Sequence, residues 1–180
     1  QPATTTIVNN VGKALTQGLE FDLSMRAADW LTLAANYAYT DAKVVEGTEI
    51  TNGTVFGGNM SAAGFTLPRT PRHSAAGSAA VDFPIAGSDK RAFGRIDVVY
   101  QSRRYAEIQN MIWADPFTHV NLSAGVRAKG WKANLWVKNA TNDPTSLNGF
   151  RYLDPSTYRR SAVDFLPRLR QIGATVTYDI

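Results

Sequence analysis

Two histidines, His73 and His119, are the only imidazoles in this chain, and it has no cysteine. His119 stands beside Asn121 and Ser123, a set that suggests hydrolytic chemistry. A nucleophile, a base and an orienting group must converge for that, and nothing in the spacing brings them together. Glu20, Asp22, Asp82 and Asp97 are spread over three apolar–polar repeats with no calcium-loop spacing. Ion pairing with Arg95 and Arg127 is the simpler reading of them. The glycine-rich GTVFGG stretch lacks a strand–helix context and forms no phosphate cradle. The sequence therefore predicts no enzyme, no cofactor and no metal site. Arginines interleaved with aromatic rings are more informative. Arg103, Arg104, Tyr105 and Trp113 form one cluster. Residues 144–170 hold Arg151, Arg159, Arg160, Arg168 and Arg170 against Asp154 and Asp164, with Phe150, Tyr152 and Tyr158. Guanidinium groups grip carboxylate or phosphate through two parallel hydrogen bonds, and rings stack on rings. Such a set suits an anionic chelate or a sugar. It suits contact with lipopolysaccharide phosphates equally well, or plain solvated loops.

The elements that position these clusters repeat with a period of two. In LTQGLEFDLSMRA the row Leu15, Leu19, Phe21, Leu23, Met25 opposes Thr16, Glu20, Asp22, Ser24, Arg26. This is a strand with two unlike faces. The pattern returns at Leu31–Thr40, Ser74–Phe83, Ala92–Arg103, Phe117–Ala128, Trp131–Lys138 and Gln171–Ile180, which gives about seven strands. AADW, PIAGSDKR and AKGW are short connections. The stretches near 45–72, 106–116 and 140–167 are long and rich in Gly, Asn, Thr and Pro, and read as loops. Short and long connections alternate strictly, so every short turn falls at one end of the sheet and every long loop at the other.

A soluble sandwich also shows two-faced strands, but long unstructured loops are uncommon in compact domains. Transmembrane β-barrels combine short turns at one end, long loops at the other, apolar-out and polar-in strands, and aromatic girdles. Trp30, Phe83, Trp131 and Tyr178 lie toward the short-turn end. Tyr37, Tyr39, Tyr100, Tyr105 and Phe117 lie toward the loops. Hydrophobic residues make up 44% of the chain, and no run approaches the roughly 18 apolar residues of a spanning helix, which bears only on helical membrane proteins. The net charge of +4 is mild and predicts no nucleic-acid partner. The chain opens on Gln1 with no signal sequence, and seven strands are an odd number, so the expectation is a piece of a larger barrel whose first strand pairs with the last.

Four segments, in order, resemble the C-terminal barrel region of TonB-dependent outer-membrane receptors: GLEFDLSMRAADWLTLAANYAYTDAK, LPRTPRHSAAGSAAVDF, VNLSAGVRAKGWKANLWVKNATND and LPRLRQIGATVTYDI. The family usually reads Asn-Leu-Phe where this chain has Asn139-Ala140-Thr141, and usually ends in Phe where this chain has Ile180. The resemblance implies an all-β, antiparallel up-and-down transmembrane β-barrel of about 22 strands with a plugged lumen. Residues 1–180 would be its C-terminal part, and the plug domain and earlier strands would lie outside the chain. It implies the outer membrane of a Gram-negative bacterium and uptake of a scarce small-molecule or glycan ligand, such as a ferric siderophore or cobalamin. It also implies the TonB complex as the energy source, the barrel assembly machinery during biogenesis, and outer-membrane lipid and lipopolysaccharide as neighbours. The expected ligand-binding residues, in extracellular loops, are Arg103, Arg104, Tyr105, Trp113, Arg151, Tyr152, Tyr158, Arg159 and Arg160. The competing readings are a small outer-membrane barrel, acting as an adhesin or lipid enzyme, and a soluble β-sandwich binding module.

Overall fold

A computed structural model describes residues 12–48, 61–157 and 159–179, with the side chains of Leu153 and Arg160 outside that description. The GTVFGG stretch, Tyr158 and Ile180 also lie outside the described residues. The strands are β1 (Gly12–Ala28), β2 (Leu31–Gly47), β3 (His73–Pro84), β4 (Arg91–Gln101), β5 (Arg104–Tyr105), β6 (Trp113–Ala114), β7 (Phe117–Ala128), β8 (Trp131–Lys138), β9 (Asn148–Asp154), β10 (Arg159–Phe165) and β11 (Gln171–Tyr178). Seven of them make one antiparallel sheet in the order β1-β2-β3-β4-β7-β8-β11, and β5-β6 and β9-β10 are separate small hairpins. The seven long strands are those the alternation predicts. The β9-β10 hairpin and β6 lie inside segments that read as loops, whereas β5 falls at the end of the AFGRIDVVYQSRRY stretch that reads as the fourth strand.

Residues directly opposite in an antiparallel pair share a face, so the register sorts the side chains. One row runs Met25, Leu33, Ala79, Ile96, Leu122, Val137, Ile172. The neighbouring row on the same face runs Leu31, Val81, Gly94, Ala124, Leu135, Ala174. The opposite face carries Ser24, Ala34, Ser78, Asp97 and Asn121, and Asp22, Asn36, Ala76, Val99 and His119. The apolar face has no second layer among the described residues. Leu19 is 75% exposed, Val176 75% and Ile172 74%. Among the described residues no large side chain is fully buried, and the buried apolar ones are Ala42, Val44, Ala62, Ala114 and Phe117. A sandwich would bury this face against another sheet. A wall facing hydrocarbon would not.

The aromatic residues follow the same sorting. Phe83, Trp131 and Tyr178 are on the apolar face at the short-turn end, and Tyr37, Tyr39 and Tyr100 are on it toward the loops. Phe117 departs from the expected girdle. It pairs with Gln101 on the polar face and is 7% exposed beneath the Arg104 guanidinium. Its place at the first position of β7 sets the parity, and Val120 and Leu122 then point outward.

The polar face carries the expected ion pairs in part. Asp82 accepts from Arg91 at 2.6 Å and from Arg127 across the strands. Arg95 instead grips Asp97 on its own strand, with Nε 2.9 Å from both carboxylate oxygens. Glu20 and Asp22 form no ion pair among the described residues. The short turns behave as expected, with Gly130 at φ 80° closing the two-residue Lys129-Gly130 turn, a conformation that glycine adopts without steric cost.

The chain after β8 is fixed by Asn139, which is 5% exposed at φ 49°. Its N–H donates to Asn121 Oδ1 at 3.0 Å. Its Nδ2 donates to the carbonyls of Asp143 at 2.9 Å and Arg168 at 3.2 Å. Its Oδ1 accepts from the Asp143 N–H at 2.9 Å. The Thr141 hydroxyl lies 3.1 Å from the Thr118 carbonyl and 3.2 Å from Asn139 Oδ1. The Asn139-Ala140-Thr141 departure is thus absorbed by hydrogen bonds.

Candidate functional site at the loop end

The long connections are bonded to one another. Asn110, at φ 55°, accepts from the Thr66 N–H at 2.8 Å and donates to the Thr66 carbonyl at 2.9 Å. The Arg69 N–H reaches the Tyr105 carbonyl at 2.7 Å. Residues 61–67 return along the upper part of β2, with the Val44 N–H on the Phe65 carbonyl and the Leu67 N–H on the Ala42 carbonyl. Segments that look irregular in sequence therefore satisfy their backbone groups against each other.

The predicted ligand-binding residues divide into three groups. Arg104 and Arg151 are engaged inside the loop assembly. Arg104 donates to Gln101 Oε1 at 2.5 Å and to the Leu147 carbonyl, and its guanidinium sits 5.4 Å from the Phe117 ring centre. Burial draws its pKa below the usual guanidinium value, although a guanidinium keeps its charge throughout the working range. The Arg151 Nε lies 2.7 Å from Glu107 Oε1 and 2.8 Å from Oε2, and its Nη1 lies 3.2 Å from Met111 Sδ. The side chains of Arg151 and Glu107 are only 15% and 19% exposed. Breaking a sheltered pair leaves a charge without compensation. A Glu107→Gln variant of the full-length protein is expected to raise amide exchange across β9 and β10 by about tenfold, roughly 1.4 kcal/mol of local opening. Mass-spectrometric hydrogen exchange reads this directly, and unchanged exchange in β9 would show that the pair does not hold the hairpin.

A second group faces away from these contacts. Arg104 pairs with Ala114, and Tyr105 pairs with Trp113. Tyr105 and Trp113 therefore lie on the face opposite Arg104. Arg103 joins them, 5.2 Å over the Trp113 ring and 3.2 Å from Asp115 Oδ1.

The third group belongs to the β9-β10 hairpin. Phe150 opposes Val163, and Tyr152 opposes Ser161. Phe150 lies 5.8 Å from Phe165 and 6.1 Å from Tyr152, ring centre to ring centre. All three rings are about half exposed. Arg159 opens β10 and is exposed beside them. A Cβ on Gly149, on the other face, would press on Ile112 and Asp164, so that face lies against the middle loop. The side chains of Tyr158 and Arg160 are outside the described residues.

The hairpin turn is organised by Asp154. Its Oδ1 accepts from the Ser156 hydroxyl at 2.7 Å and the Ser156 N–H at 2.9 Å, and its Oδ2 accepts from the Thr157 hydroxyl at 2.9 Å. These bonds, the Ser156 hydroxyl first, hold the carboxyl below its ordinary pKa. A depressed carboxylate contributes stability that is present above its unfolded pKa and lost as pH falls through the folded value. Turn protection is accordingly expected to stay constant from pH 7 to about 4 and to fall below that. Asp154→Asn is expected to remove the acid-range change, as read by hydrogen exchange of residues 154–157.

Catalytic chemistry has no geometry here. His119 is on the polar face, 4.7 Å from the Phe117 ring, as the alternation predicts. His73 is on the apolar face with Nδ1 2.8 Å from the Tyr37 hydroxyl oxygen. The two imidazoles are on opposite sides of a single-layer sheet. Among the described residues, no group of three His or acidic side chains is placed to hold a metal.

A single-layer, strongly two-faced antiparallel sheet with tight turns at one end and interlocked loops at the other is the wall of a transmembrane β-barrel. A family model described as TonB dependent receptor-like, beta-barrel, matches residues 1–140. The chain belongs to that family, whose barrels reside in the outer membrane of Gram-negative bacteria. Three solved structures share the fold. The ferric yersiniabactin uptake receptor FyuA from Yersinia pestis superposes with a TM-score of 0.75 at 21% identity, over 95% of this chain and 24% of that one. The ferric preacinetobactin receptor BauA from Acinetobacter baumannii gives 0.65 at 16% identity, over 94% and 23%. The siderophore receptor PiuA from Acinetobacter baumannii gives 0.67 at 16% identity, over 93% and 22%. The chain thus spans about a quarter of the length of these receptors. No curated protein matches it in sequence.

Proposed function

We propose that residues 1–180 form the C-terminal part of the barrel of a TonB-dependent receptor, one that takes up a scarce ligand with energy from the inner-membrane TonB complex. The observation that carries this reading is the uncovered apolar face of a sheet whose edges are β1 and β11. In hydrocarbon an unpaired strand edge is costly, so both edges call for further strands and a closed barrel. A ferric siderophore is the preferred ligand class, on two supports. The three structural neighbours are receptors for such compounds by their descriptions. The β9-β10 hairpin also exposes aromatic rings next to the Arg159 cation, a combination that stacks on and pairs with an anionic aromatic chelate. Tyr152 and Arg159 are the proposed contacts, with Tyr158 and Arg160 as candidates from sequence. Arg104 and Arg151 hold the loops that present them.

The test is uptake of radiolabelled iron chelates by a receptor-deletion strain complemented with the full-length gene, with and without TonB. One chelate should enter only when receptor and TonB are both present. Equal uptake without TonB would overturn the reading.

A further inference from the structure

On the apolar, membrane-facing side, just above the outward Tyr37 and Tyr39, the structure forms an open cavity of ≈ 300 Å³ lined by Thr66, Thr70, Arg72, His73, Ser102, Arg103 and Tyr105. Its outward orientation follows from register. His73 continues the row of Leu19 and Tyr39, and Ser102 bonds back to His73 through both its N–H and its hydroxyl oxygen, each at 2.9 Å. Thr66 bridges Lys43, which lies in register with Leu15 of the same outward row. The chemistry is that of an anion site. Arg72 and Arg103 are about half exposed, and their only acidic partners among the described residues are Asp41 at 3.4 Å and Asp115 at 3.2 Å. The Ser102 oxygen accepts from the His73 N–H and keeps its own proton to donate. The Arg103 guanidinium lies 5.2 Å over the Trp113 ring.

The depth of the cavity decides the class of anion. Aromatic residues of a barrel girdle mark the headgroup level, and the loop end of this fold is the extracellular end. We propose that this pocket binds a phosphate of the phosphorylated glycolipid that forms the outer leaflet, with Arg72 and Arg103 as paired cations and the hydroxyls as donors. Arg103, Tyr105 and Trp113 then serve the membrane side of the barrel, whereas Tyr152 and Arg159 serve the transported ligand. This rests on the barrel reading above.

The full-length receptor in detergent, mixed with phosphorylated lipid A or with its enzymatically dephosphorylated form, tests the proposal by native mass spectrometry. Wild type is expected to retain the phosphorylated form at least about tenfold better, from two charge-assisted contacts. An Arg72→Gln/Arg103→Gln double variant should lose that preference, and Ser102→Asp should lose it through repulsion with both arginines in place. Tyr152→Ala and Arg159→Gln should keep it. Equal retention of both lipids by wild type would overturn the proposal. So would a double variant that keeps the lipid preference but loses chelate uptake, which would return Arg103 to the transport site. A wild-type receptor that purified without detergent would instead defeat the barrel reading itself.

Discussion

Leu122→Arg is expected to stop the full-length receptor from reaching the outer membrane in folded form. Leu122 is on β7 in the outward row with Ile96 and Val137, 40% exposed with nothing packed over it among the described residues. Six residues separate it from Ala128 at the short turn, which places it about 15 Å into the hydrocarbon for a strand tilted near 40°. That is close to the midplane, where an arginine facing lipid costs about 2–4 kcal/mol. Asn134→Lys on the next strand is the matched control. Asn134 faces the other way, in register with Gly125 and Thr175, and should fold at near wild-type level. The measurement is the fraction of heat-modifiable, folded receptor in outer-membrane preparations. If both variants folded equally well, the uncovered face would not be facing lipid.

Asn139→Ala is the second large effect. The side chain makes its hydrogen bonds at 5% exposure, and the backbone sits at a positive φ. Alanine removes the donors to the Asp143 and Arg168 carbonyls and the acceptor for the Asp143 N–H. It also leaves a β-carbon in the left-handed region. Together these are expected to cost about 3 kcal/mol. Asn139→Gly relieves the backbone part and should recover roughly 1 kcal/mol. Urea unfolding of the full-length receptor refolded in vesicles gives the midpoints, expected in the order wild type, Gly variant, Ala variant. The loss should localise to residues 139–143 and to the start of β11, since the Arg168 carbonyl ties the entry to that strand. An alanine variant within about 0.5 kcal/mol of wild type would mean that water replaces these bonds without cost.

How legible the sequence is varies by element. The strands of the main sheet are visible because a lipid-facing wall keeps one face of every one of them largely apolar, even where Phe93, Val99 and Trp136 interrupt the polar face. The β9-β10 hairpin is not visible in the same way. Its inward side carries Arg151, which is apolar to no scale, yet it is sheltered by Glu107 from 44 residues away. The signals that would have found it are the Phe150/Tyr152 spacing and the Asp154-Pro155 turn start, with proline preset for a turn and aspartate bonding two residues ahead. Phe117 misleads as a girdle residue for a different reason. An aromatic residue at a strand end is compatible with either face, and only the parity of β7 and the Arg104 cation above the ring settle it.

The sequence by itself determined the membrane-type wall: two-faced strands, short turns at one end and long loops at the other. That information is local, because a residue's face depends only on whether its neighbours two positions away are apolar. The tertiary structure alone decided what the arginines do. Arg103 and Arg104 are adjacent in sequence, and alternation along β4 would put Arg103 on the polar face with Gln101, yet the break in the strand at Ser102–Arg103 sends Arg103 to the outer surface and Arg104 beneath the loops. Arg151 meets Glu107 only because the separate β9-β10 hairpin lies against the loop between β5 and β6, 44 residues away. A partner fixed by such a tertiary contact leaves no pattern in either segment alone.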